Sequence, residues 1–243
     1  MHGRARFVTA HGATARADLI TGWTPLPLIS RLLPRAAEDA ATLSAMQTGE
    51  ALIPFRMARD KVAVATRFRS TWLNVSLESL KARGYFERYL ARLPKQHHEA
   101  VLSAIAGVWL PVEVAVAHYE AIDSLGMSVP DILRMGEEVP LRVNASFVKL
   151  ARAAGVTPWT AAVQLGRLWD RCWVGGAIGV FRLGPKEGRI ELLGFPCAHI
   201  PYARIGLRGT YTAAVQLFST KAYVREIPAL CKGTSLGYQI SWV

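Results

Sequence analysis

The segment "LCKGTSLGYQISWV" at residues 230–243 constrains the fold more than any other stretch. Leu236, Tyr238, Ile240 and Trp242 fall on one side of an extended chain, and Gly237, Gln239 and Ser241 on the other. That alternation is the period-two pattern of a strand with one buried face. A loose tail has no reason to be so patterned, so the segment is expected to be pinned into a sheet. Such a strand needs neighbours to pair its backbone and a second layer to cover its apolar side.

Both are present in the pattern upstream. "AIGVFRL" and "RIELLGF" flank "GPKEG" and predict a hairpin with a five-residue turn. "KAYVREIPAL" predicts a strand that pairs with the closing one. Between the two hairpins, "YARIGLRGTYTAAVQLF" predicts a helix that Gly206 and Gly209 weaken. Earlier segments are helical. "FRSTWLNVSLESLKARG" starts extended and turns helical, with Gly84 as a stop. "YFERYLARLP" and "KQHHEAVLSAIAGV" follow, the second burying Val101, Leu102 and Ile105. "PVEVAVAHYEAIDSLG" has Pro111 in its first turn and a stripe of Val112, Ala115, Val116, Tyr119 and Ile122. Ser128 caps the helix "SVPDILRMGEEV", which Pro140 interrupts, and "RVNASFVKLARAAG" adds another. Thr157 and Pro158 are the cap and first residue of a single helix over "TPWTAAVQLGRLWDRCW", ended by Gly175–Gly176. Helices, a hairpin, a helix and another hairpin make an α+β order: helices packed on a four-stranded antiparallel sheet.

Residues 1–61 differ from the rest. Pro25, Pro27 and Pro34 break regular structure there, and "RAAEDAATLSAMQTGE" is compatible with one short helix. This segment is expected to be an irregular N-terminal extension, with residues 62–243 forming the domain. It holds no acidic residue before Asp18, as transit peptides do, but an arginine-rich coding bias is the preferred explanation.

The totals set limits. A chain of 243 residues, 51% hydrophobic, can bury a full core without metals or disulfides. No stretch offers the roughly 20 uninterrupted apolar residues of a membrane span. Cys172, Cys197 and Cys231 are too few and too scattered for a disulfide framework, which points to reduced thiols and a cytoplasmic location. The net charge of +11 would attract phosphates, but only Arg56, Arg59, Lys61, Arg67 and Arg69 cluster, so nucleic acid is not an expected partner.

"SLESLKARG", "WLPVEVAVAHYEAID", "DILRMGEE", "LARAAGVTPW" and "LCKGTSLGYQISW", in that order, resemble a paralogous domain-of-unknown-function family of myxobacteria over residues 66–243. The closing cysteine, glycine and aromatic–x–Ile–x–Trp are similar to a broader superfamily of four-vinyl-reductase-type ligand domains, haem-based nitric-oxide sensors and TRAPP tethering subunits. The resemblance implies a haem-NO-binding/TRAPP-like fold with a small hydrophobic molecule, a haem or an acyl chain between helices and sheet. Two departures bear on cofactors. Cys231 matches the first of two cysteines that relatives carry, but Leu236 stands at the second. "PYARIG" offers Tyr202 and Arg204 at the wrong spacing for the Tyr-x-Ser-x-Arg motif that holds haem propionates. Neither zinc nor haem is therefore expected, although Cys197, His199 and Cys231 are a conceivable zinc set.

Catalysis finds no support: there is no Gly-x-Ser-x-Gly elbow and no Walker pattern. The tryptophans are more informative, because each brings large apolar area and an indole N–H that wants a partner. Trp109, Trp169 and Trp173 are the expected walls of a ligand cavity, with Cys172 as a soft wall residue and His118, Tyr119 and Tyr211 as orienting polar groups. The expected function is a non-enzymatic sensor or adaptor that binds a small apolar molecule or lipid. The alternatives are a protein-interaction scaffold with a filled core, a homodimer included, and a nucleic-acid-binding regulator.

Overall fold

The computed structural model describes residues 49–140 and 157–243. The closing stripe forms strand β8 (Leu236–Trp242), and Leu236, Tyr238, Ile240 and Trp242 are all buried. Its neighbours are β6 (Glu187–Leu193) and β7 (Ala222–Glu226), both antiparallel to it. β5 (Ala177–Gly184) pairs antiparallel with β6 and completes the four strands that the pattern anticipates. The hairpin turn is tighter than expected, because Gly184 pairs with Glu187 and leaves Pro185 and Lys186 at the tip. A fifth strand, β1 (Glu50–Ile53), adds to β5, so the order is β1-β5-β6-β8-β7. It comes from residues assigned by pattern to the extension, and is too short to show an alternation of its own.

Both faces of this sheet are covered. Ile178, Val180, Ile190, Leu192, Tyr238 and Ile240 join the main core with the helices. The opposite face carries Phe181, Arg189, Glu191 and Gln239, which are aligned across β5, β6 and β8. Part of the segment 54–65 lies over it: Phe55 packs on Phe181 at 6.0 Å, and Gly176 N donates to Ala63 O. Arg59 pairs with Glu191, which is only 2% exposed and also has Arg189 Nε at 2.7 Å. A buried carboxylate without a cation would be costly, so Arg59 and Arg189 make this burial tolerable. Three members of the basic cluster are thereby engaged within the chain: Arg59 on Glu191, Arg56 on Asp170, and Arg69 on Gly107 O.

A small second sheet places β2 (Arg67–Arg69) between β3 (Trp109–Pro111) and β4 (Trp173–Val174). Strands of two or three residues have no readable period, and the sequence pattern does not reveal them. Helix α1 (Ser70–Ala82) follows β2 directly, and Gly84 ends it with φ +72. Helices α2 (Phe86–Arg92) and α3 (His98–Leu102) are short. Here the expectation is corrected: α3 stops at Leu102, and only Val101 is buried, while Leu102 and Ile105 are 51% and 72% exposed. The chain turns away because Ile105 O accepts from Ser70 Oγ at 2.6 Å.

Helix α4 (Val112–Asp123) buries Val114, Ala115, Ala117, His118, Ala121 and Ile122. The expected stripe is thus rotated, and Val112, Val116 and Tyr119 are only half-buried. Helix α5 spans residues 129–140, and Ser128 Oγ accepts from Asp131 N at 3.3 Å as its cap. The single helix expected from Thr157 is two: α6 (Pro158–Ala162) and α7 (Leu165–Cys172). Thr157 does cap the first, accepting from Thr160 N at 3.2 Å. A tight Gln164 N to Ala161 O bond then turns the chain between them. Helix α8 (Pro201–Gln216) is capped from a distance, with Asp123 Oδ1 accepting from Tyr202 N at 2.8 Å. The helices expected over "RVNASFVKLARAAG" and "RAAEDAATLSAMQTGE" lie outside the described residues, save for Gly49 and Glu50.

The glycines of α8 are contacts and not mere weaknesses. A Cβ on Gly136 of α5 would sit inside Gly206 O, and one on Gly209 would sit inside Leu133 O. Thr210 Oγ1 adds a hydrogen bond to Gly136 O at 3.1 Å. The two backbones therefore touch with no side chain between them. Replacing Gly136 or Gly209 by alanine is expected to lower stability by about 1–3 kcal/mol through overpacking. A Cβ on Gly206 meets nothing within 4 Å, so Gly206→Ala is expected to be neutral or to gain about 0.5–1 kcal/mol. Urea unfolding of the three variants checks the contrast.

Candidate functional site

A cavity of about 280 Å³ lies between the tryptophan-bearing helices and the sheet. Leu165, Leu168, Trp169 and Cys172 of α7, with Trp173 beyond it, form one wall. Leu207, Thr210, Tyr211 and Ala214 of α8, with Leu217 and Phe218, form the other. Trp72 of α1, Ile178 of β5 and Val139 and Pro140 of α5 close it, together with Ala161 and Gln164. No described lining residue is charged. A smaller cavity of about 90 Å³ shares Trp72, Val139, Trp169, Trp173, Leu207 and Thr210, and runs on past Ser76, Ser79, Tyr119, Glu138 and Tyr202.

Helical spacing builds these walls. Trp72, Val75, Ser76 and Ser79 recur at the three- and four-residue intervals of one face of α1, while Leu73, Leu77 and Leu80 bury the adjacent face. Leu207, Tyr211 and Ala214 repeat the arrangement on α8. Trp169 and Trp173 stack at 5.7 Å, and Phe195 meets Trp173 edge-on at 5.3 Å. Trp169 Nε1 donates to Gly175 O at 3.1 Å, which fixes the ring.

The polar groups divide into two sets. Tyr211 is 8% exposed, packs edge-on against Tyr238 at 5.4 Å, and makes no hydrogen bond among the described residues. Burial pushes its phenol up, so it stays protonated and is a donor. Burial likewise pushes up the Cys172 thiol, beside the Trp72 indole. His118, by contrast, belongs to a closed chain of hydrogen bonds. Its Nδ1 is 2.7 Å from Tyr89 Oη and its Nε2 3.0 Å from Ser76 Oγ. Burial lowers its pKa to about 3, so the ring is neutral.

Of the seven residues anticipated from sequence, Trp169, Cys172, Trp173 and Tyr211 line the larger cavity and Tyr119 the smaller one. Trp109 and His118 line neither. Trp109 sits on β3 under the Arg69 guanidinium, 4.1 Å from its ring. His118 faces the α1–α2 side of α4, where the stripe is rotated from the expected one. Trp72, Leu207, Thr210 and Phe218 were not anticipated. A second periodic face, offset by one position from the apolar one on α1, is the signal that marks Trp72.

No family model matches the chain, and no curated protein matches it. Among solved structures it is similar to an Fe(II) unliganded H-NOX protein, a point mutant, from K. algicida, with a TM-score of 0.52 and 11% identity. The likeness covers 72% of this chain and 96% of that one. The chain has an H-NOX-like fold.

Several described groups that could serve a haem are otherwise engaged. Haem iron needs an axial imidazole, thiolate, phenolate or thioether. No histidine lines either cavity among the described residues. Both nitrogens of His118 are already hydrogen-bonded. Cys172 and Tyr211 are held in their protonated forms. Propionates also need basic partners, and Arg204 is committed to Glu226. Among the described residues, no group of three or more His, Cys, Asp or Glu side chains is arranged to hold a metal ion. Cys197 is fully buried, whereas His199 lies out beside Glu120 at 3.6 Å.

The buried imidazole has a consequence for stability. The unfolded chain takes up the His118 proton near the ordinary value of about 6.5, and the folded chain only near 3. Its contribution is therefore intact above pH 6.5 and is lost as pH falls. By pH 5 the loss is about 2 kcal/mol. Urea unfolding at pH 7.5 and 5.0 is expected to show this extra drop in the parent chain and not in His118→Gln. Equal drops in both would contradict it.

Proposed function

We propose that the chain is a non-enzymatic sensor or adaptor domain that binds a small apolar molecule in the 280 Å³ cavity. The observation that carries this is a tryptophan-walled cavity between helices and sheet with no charged side chain in its described lining, the usual construction of small-molecule sites. An apolar cavity of about 150 Å³ accommodates benzene, so this one corresponds to a ligand of about a dozen non-hydrogen atoms. The H-NOX-like fold is consistent with a ligand domain. Occupancy would act on the walls: α7 and α8 face each other across the space, and a ligand that prefers one separation of the two shifts that equilibrium. A partner or a following segment would read the shift. The exposed Leu168, on α7 and in the cavity wall, puts part of this movement at the surface.

Naphthalene, with ten carbons, is a direct probe. Isothermal titration is expected to show saturable one-to-one binding with a negative heat-capacity change. Ala214→Phe fills the space from α8 and is expected to weaken binding at least tenfold while raising the melting temperature. Native mass spectrometry of the purified protein, compared with denaturing conditions, checks for a co-purifying hydrocarbon or lipid. Absence of binding together with lowered stability in Ala214→Phe would favour an interaction module with a filled core.

A further inference from the structure

Tyr211 gives the cavity a polar feature that its apolar walls do not account for. Tyr211 is more than nine-tenths buried, stands between the larger cavity and a neighbouring space of about 70 Å³, and leaves its hydroxyl without a hydrogen bond among the described residues. The oxygen is not sealed off by protein atoms, as a fully enclosed orphan would be. Two other polar groups of the wall are already occupied: Thr210 Oγ1 bonds Gly136 O and Gly206 O, and Trp169 Nε1 bonds Gly175 O. A buried phenol with no acceptor forfeits a hydrogen bond, so a ligand that supplies one is favoured over its plain hydrocarbon. The phenol stays protonated, and its one proton is directed to an acceptor.

The rest of the lining fixes the charge of that ligand. None of the described residues around this cavity is Lys, Arg, Asp, Glu or His, so a carboxylate or an ammonium would enter without a counter-ion. Resting on the proposed ligand-binding role of the same cavity, we infer that it selects an uncharged lipophile of about a dozen non-hydrogen atoms with one hydrogen-bond acceptor, such as a carbonyl, received by the Tyr211 hydroxyl. The described lining offers fatty-acid anions and other charged amphiphiles no counter-ion.

Three probes of one shape test this by isothermal titration on the full chain: 2-ethylnaphthalene, 2-acetylnaphthalene and 2-naphthoate. The ketone is expected to bind about three- to tenfold more tightly than the hydrocarbon, the worth of one hydrogen bond. The carboxylate is expected to bind at least a hundredfold more weakly than the ketone. In Tyr211→Phe the ketone preference disappears while the hydrocarbon binds as before, a result that also shows the variant folded. Equal affinities for ketone and hydrocarbon in the parent chain, a preference that survives in Tyr211→Phe, or tight binding of 2-naphthoate would each overturn the inference. Failure of the hydrocarbon itself to bind would instead overturn the ligand-binding role on which the inference rests.

Discussion

Backbone laid directly on backbone, where α5 crosses α8, is the constraint on which the rest depends. Gly136 and Gly209 keep a Cβ out of that crossing. With one side of α8 held there and its first turn tied to Asp123, the rotation of the helix is fixed. Leu207, Tyr211 and Ala214 then face α7 across a space that none of them fills. A helix free to roll would bring those side chains onto the sheet and close the gap, because apolar surfaces pack to high density when nothing prevents it. The cavity is thus a consequence of a close contact elsewhere.

The sheet supplies the complementary constraint. β8 lies between β6 and β7, so its Tyr238 cannot move without disturbing both neighbours. Tyr238 donates to Arg204 O at 3.0 Å and packs edge-on against Tyr211, linking the central strand to the helix that carries the cavity's unpaired phenol. On the opposite face, Glu191 with Arg59 and Arg189 ties the segment after β1 onto the same strands. A buried ion pair and the Phe55–Phe181 contact hold the outer layer, while a largely apolar core joins the helices to the sheet. A ligand in the cavity would therefore displace helices more readily than strands.

Much of this is legible in the sequence for identifiable reasons. The alternation of Leu236, Tyr238, Ile240 and Trp242 survives in the structure because a central strand with one face on the core has only one workable register. Thr157 and Pro158 mark a helix start because capping is a local interaction between neighbours. The failures arise where partners distant in sequence decide. β1 is a strand only because β5 offers an edge to it. The face of α4 that is buried is chosen by α2 and α8, so His118 turns to Tyr89 and Ser76 and leaves the site for which it was a candidate. Trp72 lies on a second face of α1 that an amphipathic pattern assigns to solvent. Gly206 and Gly209 count against a helix by propensity, whereas the tertiary contact makes a side chain at Gly209 intolerable. Chemistry was harder to infer than fold, because a cavity wall and a filled core are made of the same residue types.

The most direct measurement is a crystal structure of the protein grown with 2-bromonaphthalene, with the bromine located by anomalous scattering. The account predicts a single strong peak among Trp169, Trp173 and Tyr211, with α5 and α8 still in backbone contact at Gly136 and Gly209. Bromine bound only at the molecular surface, with Leu168 and Tyr211 packed together across the space, would contradict it.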